Sequence, residues 1–574
     1  MKRRQLLEGG VALAGAGMLG GRAGAARPRR FVRPGDPAWP GASDWSALSD
    51  AVGGRLAPVA LPDLSTPDAA KLLSNPFYIG DQPGLTESSG WLGAWRSAPS
   101  AYVVAAQNAD DVAAAVRFAR AHGVRPVIKG RGHSYLGASN APDSLLIWTR
   151  HMDDVVVHDA FTQQGSAAPP VPAVSCGGGA MWLHAYQAVS VGAGRYVQGG
   201  GCTTVGVAGL VQGGGFGSLS KGFGTAGAHL LEAEVVTADG RVRVVNHAQE
   251  PDLFWALKGG GGGTFGVVTR LTLKTHELPE TIGAANMTVR AKSDEAFRRL
   301  LARFVAVYAE TLFNPHFGEQ AHAGPDNLLT LAMVFQGLTP AAAHAAVQPL
   351  AEFVAANPAD YEVRSPLFVA ALPGRRFWDA NLTTRIGAAI ADPRPGASPT
   401  DYWWRGDGAQ VGVFWYAYTS AWLPQSLLKP EAQARFVEAW FAASRHFGVG
   451  LHFNKGLAGA PAEALAASRD TPMNPDALGA FALAIIADAG PTLFTGAQPD
   501  LTTARDRADR VQAAMKALRL AAPDTGAYVN ECDYFQPNWR AAFWGPHYPR
   551  LAGVKRRYDP TGLFTVHHGV GGED

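Results

Sequence analysis

Two glycine-rich runs, Val127–Gly137 (VIKGRGHSYLG) and Gly199–Gly217 (GGGCTTVGVAGLVQGGGFG), constrain this chain more than any other feature. The chain holds 68 glycines, and they are clustered rather than spread. Clusters of this kind mark positive φ or a close approach of backbone to a bulky group, not a linker. Each run also carries a nucleophile, His133 in the first and Cys202 in the second. An imidazole and a thiol, each in backbone that a flat ligand can approach, suggest two covalent anchors for one redox cofactor. Gly130, Gly132 and Gly137 surround His133, and Gly206 and Gly209 closely follow Cys202. Bulky residues there would obstruct the converging N–H groups that a diphosphate needs.

At 574 residues the chain exceeds a single compact core, so two or more domains are expected. Hydrophobic residues make up 47% and charged residues 17%, which suits a soluble enzyme. The formal net charge is +2, with no long basic run beyond the first thirty residues, which argues against a nucleic-acid partner. Cys176, Cys202 and Cys532 lack the CxxC spacing of a zinc site. With Cys202 committed to a cofactor, Cys176 and Cys532 are expected as two free buried thiols, although spacing alone leaves a pairing open.

The N-terminus begins MKRRQLL, followed by a weakly apolar, glycine-rich stretch to Gly21 and a small-x-small site at Ala23-Gly24-Ala25. Paired arginines before Gln5-Leu6-Leu7 resemble a bacterial twin-arginine export signal. The apolar stretch is too short to span a bilayer, and no other segment has eighteen consecutive apolar residues, so stable membrane insertion is not expected.

Further along, Asn108 caps a helix over Val112–His122, with Gly123 at its C-terminal stop. Pro126–Lys129 reads as a short strand running into the His133 turn. Ala233–Thr237 and Arg241–Val245 flank an Asp239-Gly240 hairpin turn, and Val267–Thr275 alternates as a strand. Past Leu278, Ser293 caps a helix to Tyr308 whose Phe297, Leu300, Leu301 and Phe304 share one face. Strands at Leu328–Phe335, Val411–Trp422 and Ala480–Ala487 alternate with alanine-rich helices, among them Glu431–His446 closed by Gly448. This pattern predicts an α+β domain on a broad antiparallel sheet. The aromatic, glycine-rich last fifty residues point back to the first domain.

Other motifs carry less. Gly222–Gly227 matches GxGxxG, but a strand follows it and none precedes it, the reverse of a dinucleotide fingerprint. GxxxxGK[ST], GxSxG and HExxH are absent from the sequence. No metal site is expected, and His567-His568 reads as a solvated tail.

Lys129–Gly137, Gly201–Gly217, Gly259–Val268 (GGGGGTFGVV) and Tyr528-Val529-Asn530 together resemble the berberine bridge enzyme-like family within the vanillyl-alcohol-oxidase group of flavoproteins. The match covers residues 95–280 and 520–570, and the middle only in general layout. The resemblance implies a two-domain PCMH-type FAD-binding fold with an α+β substrate domain. It also implies bicovalent FAD, with His133 on the 8α-methyl carbon and Cys202 on ring carbon 6. Lys129, Gly130, Arg131, Gly132, Ser134, Gly137, Val205, Gly206, Gly209, Gly266, Val268 and Asn530 are the further cofactor contacts it implies. Valine at 205 accompanies oxidases in the family, which points to O2 as acceptor. Tyr528 and Tyr135 match tyrosines near family active sites. Glu531 replaces the tyrosine usual after YxN and is a candidate base or a solvent-facing residue. Phe216 stands where many members carry another tyrosine. Asp407, Tyr416, Tyr418 and Lys455 are cleft candidates.

The domain limits expected are a signal peptide over 1–25, an N-terminal extension over 26–75, an FAD-binding domain over 76–280, a substrate domain over 281–520 and a returning segment over 521–574. The reading is an exported, periplasmic or secreted FAD oxidase acting on an alcohol, a sugar or an oligosaccharide and releasing H2O2. The alternatives are oxidative ring closure or dehydrogenation in secondary metabolism, a dehydrogenase with another acceptor, or an FAD-fold protein that binds without turnover. Oligomeric state is not legible.

Overall fold

A computed structural model describes residues 30–572 apart from 65, 67 and 68. The expected export signal lies outside these residues.

The first half of the chain builds two sheets that hold the glycine-rich runs. In the smaller one, Leu56–Pro58, Tyr102–Ala105, Ser144–Trp148 and Arg125–Lys129 lie side by side, with the last three mutually parallel. The helix Ala109–His122 forms as its caps dictate. Asn108 accepts the Asp111 N–H at 2.9 Å, and Gly123 stops the helix at φ 68°. Its Val112, Ala115, Val116 and Ala119 are fully buried. Trp45 of the N-terminal extension packs there too, stacked on Tyr102 at 4.1 Å. Residues 42–58 of the extension are thus an ordered part of this layer.

The second sheet is antiparallel. The hairpin Leu230–Val236 and Val242–Asn246 pairs with Val267–Glu277, which pairs in turn with Val171–Gly177. Helices Trp539–Trp544 and Tyr548–Tyr558 return to this half and bury Trp539, Phe543, Trp544 and Leu551 against it.

The remaining chain builds a nine-stranded sheet in the order Tyr361–Pro373, Thr281–Ala291, Leu328–Gln336, Phe317–Ala323, Val449–His452, Ala480–Gly490, Val413–Pro424, Ser88–Trp91 and Trp95–Arg96. Helices Asp294–Val307, Pro340–Ala356, Pro430–His446 and Leu501–Arg519 cover it. The face expected for the first of these is observed, with Phe297, Leu300, Leu301 and Phe304 all essentially inaccessible. Each such side chain contributes about 1.5–3 kcal/mol.

Two local expectations are corrected. Residues 88–96, expected in the FAD-binding half, are strands of the large sheet, with Ser88–Trp91 parallel to Val413–Trp415. Just before them, Glu87 donates its N–H to Gly132 O (3.0 Å), and its carbonyl accepts the Gly412 N–H (2.7 Å), so this strap bonds both halves. Gly448 is not a helix stop: Phe447 ends the helix in extended backbone. A Cβ at Gly448 would lie 2.5 Å from the His322 ring, so the glycine serves a close approach. As expected, the GxGxxG run leads into a strand, Leu230–Val236, and it begins within the short helix Ser220–Phe223 rather than after a strand.

Candidate active site

The His133 and Cys202 runs meet on one cavity of about 280 Å³, whose walls come from both halves and from the C-terminal segment. Gly130, Arg131, Gly132, His133, Ser134 and Tyr135 line it from the first run. Val205, Gly206, Gly209 and Phe216 line it from the second, and Gly266 and Val268 from the third. Tyr528, Asn530 and Glu531 complete it, together with Lys455 of the large-sheet half. A Cβ at Gly209 would meet nothing within 4 Å, so this backbone faces open space.

His133 is delivered at the end of strand Arg125–Lys129 by a turn in which Gly132 takes φ 84°. The Thr204 hydroxyl holds its Nε2 at 3.1 Å, leaving Nδ1 to form a bond. Burial, reinforced by the Arg131 charge, lowers its pKa to about 4, so the ring is neutral and nucleophilic at neutral pH. Arg131 is itself buried, and its Nε and Nη2 have no hydrogen-bond partner. Burial lowers its pKa to about 9. A buried cation with unspent donors on a cavity wall suits an anionic group such as a diphosphate.

Cys202 is not one of the residues lining this cavity; it lies half-buried three positions before the lining residue Val205, beneath a segment of the other half. Trp404 donates its Nε1 to Gly201 O at 3.1 Å, and Asp407 Oδ2 accepts the Thr203 N–H at 3.4 Å. Through its bond to Thr203, the Asp407 carboxylate is a close charged neighbour of the Cys202 thiol. Burial, then Asp407, pushes the thiol pKa well up.

Glu531 does not face solvent. Its carboxylate pairs with Lys455 Nζ at 2.5 Å, both side chains being less than a fifth exposed. The Tyr528 oxygen accepts the Gly215 N–H at 3.2 Å and the Asn530 amide at 3.0 Å. Burial, then Glu531, pushes the Tyr528 and Tyr135 phenols far above their ordinary range, so neither is a phenolate at neutral pH. Tyr135 donates instead to Gln410 Oε1 at 2.9 Å. Phe216 meets Tyr528 edge-on at 5.2 Å.

Other candidates lie elsewhere. Lys129, expected at the cofactor, turns away from the cavity, its Nζ donating to the carbonyls of Gln82, Pro83 and Leu85. Gly137 packs against Trp95 rather than lining the cavity. A β-bulge between Trp415 and Ala417 puts Tyr416 with Phe414 and Ala504 on the far face, while Tyr418 packs on Tyr135 at 5.1 Å. His567-His568 is not a solvated tail, because His567 stacks on Tyr534 at 3.7 Å and lines the cavity. Cys176 and Cys532 are buried and unpaired. Two contributors had no sequence signal, Thr204 and the fully buried Glu87, whose Oε2 lacks a partner.

A family model for an FAD binding domain matches residues 99–246, and one for berberine and berberine-like proteins matches residues 527–571. The chain is an FAD-linked oxidoreductase. The FAD-linked oxidoreductase ZEB1 of Gibberella zeae is 30% identical, over 94% of this chain and 92% of that one. The VAO-type flavoprotein oxidase VAO615 of Thermothelomyces thermophilus is 29% identical, over 95% and 93%. The chain belongs to the berberine bridge enzyme-like family of VAO-type flavoproteins. The crystal structure of MtVAO615 from Myceliophthora thermophila C1 matches the fold with a TM-score of 0.77 at 26% identity, covering 94% of this chain and 97% of that one. A chitooligosaccharide oxidase shares the fold at a TM-score of 0.65 and 18% identity, covering 92% and 100%. The expected two-domain α+β fold is therefore observed.

Proposed function

We propose that the protein is an exported oxidase that carries FAD on both His133 and Cys202. It removes two electrons from an alcohol or a sugar hemiacetal, with O2 as acceptor and H2O2 as product. The observation that carries this reading is the Glu531–Lys455 pair, which lines the same cavity as His133, Val205 and Asn530.

The residues present fit the cofactor. Gly130, Gly132, Ser134, Gly206, Gly209, Gly266, Val268 and Asn530 would cradle it, and the unspent Arg131 donors would meet its diphosphate. When bound, FAD supplies a hydride acceptor and a route for the electrons to dioxygen. Glu531 takes the substrate hydroxyl proton, and the Lys455 ammonium holds that carboxylate in place. Tyr528, pinned through its oxygen by two donors, keeps its own hydrogen for the substrate. Val205, half-buried on the cavity wall, leaves room for dioxygen. Sugar-like substrates suit the open cavity, and the basic, small-residue N-terminus supports export.

Denaturation of purified protein, followed by an absorbance spectrum and intact mass, tests the attachment: FAD that washes away refutes it. A panel of alcohols and oligosaccharides with peroxide detection tests the reaction. Substrate-dependent flavin reduction without peroxide would replace the oxidase by a dehydrogenase. N-terminal sequencing of exported protein is expected to begin near residue 26.

A further inference from the structure

We propose that Asp407 is the base that removes the Cys202 thiol proton when the cysteinyl–flavin bond forms. The inference rests on the bicovalent reading and assigns it a device drawn from the other half of the chain.

The geometry is a built site. Segment 402–410 folds down over the cysteine loop and is fixed there by Trp404 to Gly201 O, Asp407 to Thr203 N–H, and Gln410 to the Tyr135 hydroxyl. The Asp407 carboxylate accepts the N–H of Thr203, the residue next to the cysteine, while Trp404 holds Gly201 on its other side, so the carboxylate is placed beside the thiol. Without help the thiol is a poor nucleophile, since only the thiolate attacks and burial opposes it. Asp407 suits the role of base, because burial raises its pKa to about 6, which leaves it ionised at neutral pH yet able to hold a proton. Lys455, which favours thiolate, offsets the negative charge that Glu531 adds nearby.

The step balances. The S–H bond breaks and its proton passes to Asp407, while the sulfur lone pair forms the bond to ring carbon 6. The hydrogen on that carbon leaves as a proton, and the two electrons pass through the ring to dioxygen, which becomes H2O2. Thiol, flavin and O2 thus give thioether-linked flavin and H2O2.

The His133 tether serves as an internal control for a folded site. In D407N, denatured protein is expected to keep FAD through His133, while the peptide bearing Cys202 is flavin-free and alkylatable. In D407A, incubation with acetate under air is expected to restore the Cys202 linkage, as a merely structural aspartate would not permit. A D407N protein with wild-type Cys202–flavin content overturns the proposal. So does a D407A protein that holds histidyl flavin and stays singly tethered in acetate, or loss of both tethers in both variants. Absence of the Cys202 linkage from wild type would instead refute the bicovalent reading itself.

Discussion

Glu531 and Lys455, 76 positions apart in the chain, meet at 2.5 Å on the wall of the cofactor cavity. A carboxylate held by an ammonium can accept a proton where the buried Tyr528 and Tyr135 phenols cannot. E531Q is expected to slow substrate-dependent flavin reduction by roughly 10²–10⁴-fold with flavin content unchanged, measured anaerobically by stopped flow. Retained wild-type reduction rates would remove Glu531 from the chemistry.

Thr204 orients His133 through Nε2. In T204V the ring loses that anchor but remains neutral, so histidyl attachment should be incomplete while Cys202 attachment persists. Peptide mass spectrometry of denatured protein reads both, and full histidyl occupancy would show that packing alone aims the ring.

Glu87 provides a pH test. Burial, then Asp407, raises its carboxyl from the ordinary 4.5 to about 8, while Lys129 pulls the other way. The native carboxyl therefore keeps a proton that the unfolded chain has released, and stability falls as pH rises from about 4.5 through about 8. E87Q mimics the protonated form and should gain in Tm over wild type across that window. Parallel Tm curves would mean that the carboxyl is ionised in the folded protein.

Lys555 ties the C-terminal segment to the third glycine run, its Nζ donating to Thr264 O (2.6 Å), Phe564 O (2.6 Å) and Asp559 Oδ2 (2.7 Å). K555M would strand a buried carboxylate, and a loss of about 3–5 kcal/mol is expected on breaking such a pair. Denaturant unfolding of the variant checks this, and an unchanged midpoint would refute it.

Val205→Leu should slow flavin reoxidation by O2 while leaving anaerobic reduction intact. Equal reoxidation rates would separate oxygen reactivity from this position.

Local signals were legible where structure is locally determined. The Asn108 cap, the Asp239-Gly240 hairpin and the amphipathic helix after Ser293 all follow from neighbours in sequence. The two glycine runs were legible because both close backbone approach and a nucleophile are written into each. What escaped depends on distant partners. Lys129 is captured by carbonyls of residues 82–85, and His567 by the face of Tyr534. The alternation that would place Tyr416 beside Tyr418 is broken by a bulge that neither residue announces. Glu87 carries no motif at all, and its burial arises only where two sheets and a loop converge.

The strap around Glu87 has a mechanical consequence. Its backbone is bonded on one side to Gly132 and on the other to Gly412, and the strand that follows is laced into the large sheet. The halves cannot swing open like jaws without tearing main-chain hydrogen bonds. Any hinge between the two walls of the cavity therefore has to break the strap that ties Gly132 to Gly412.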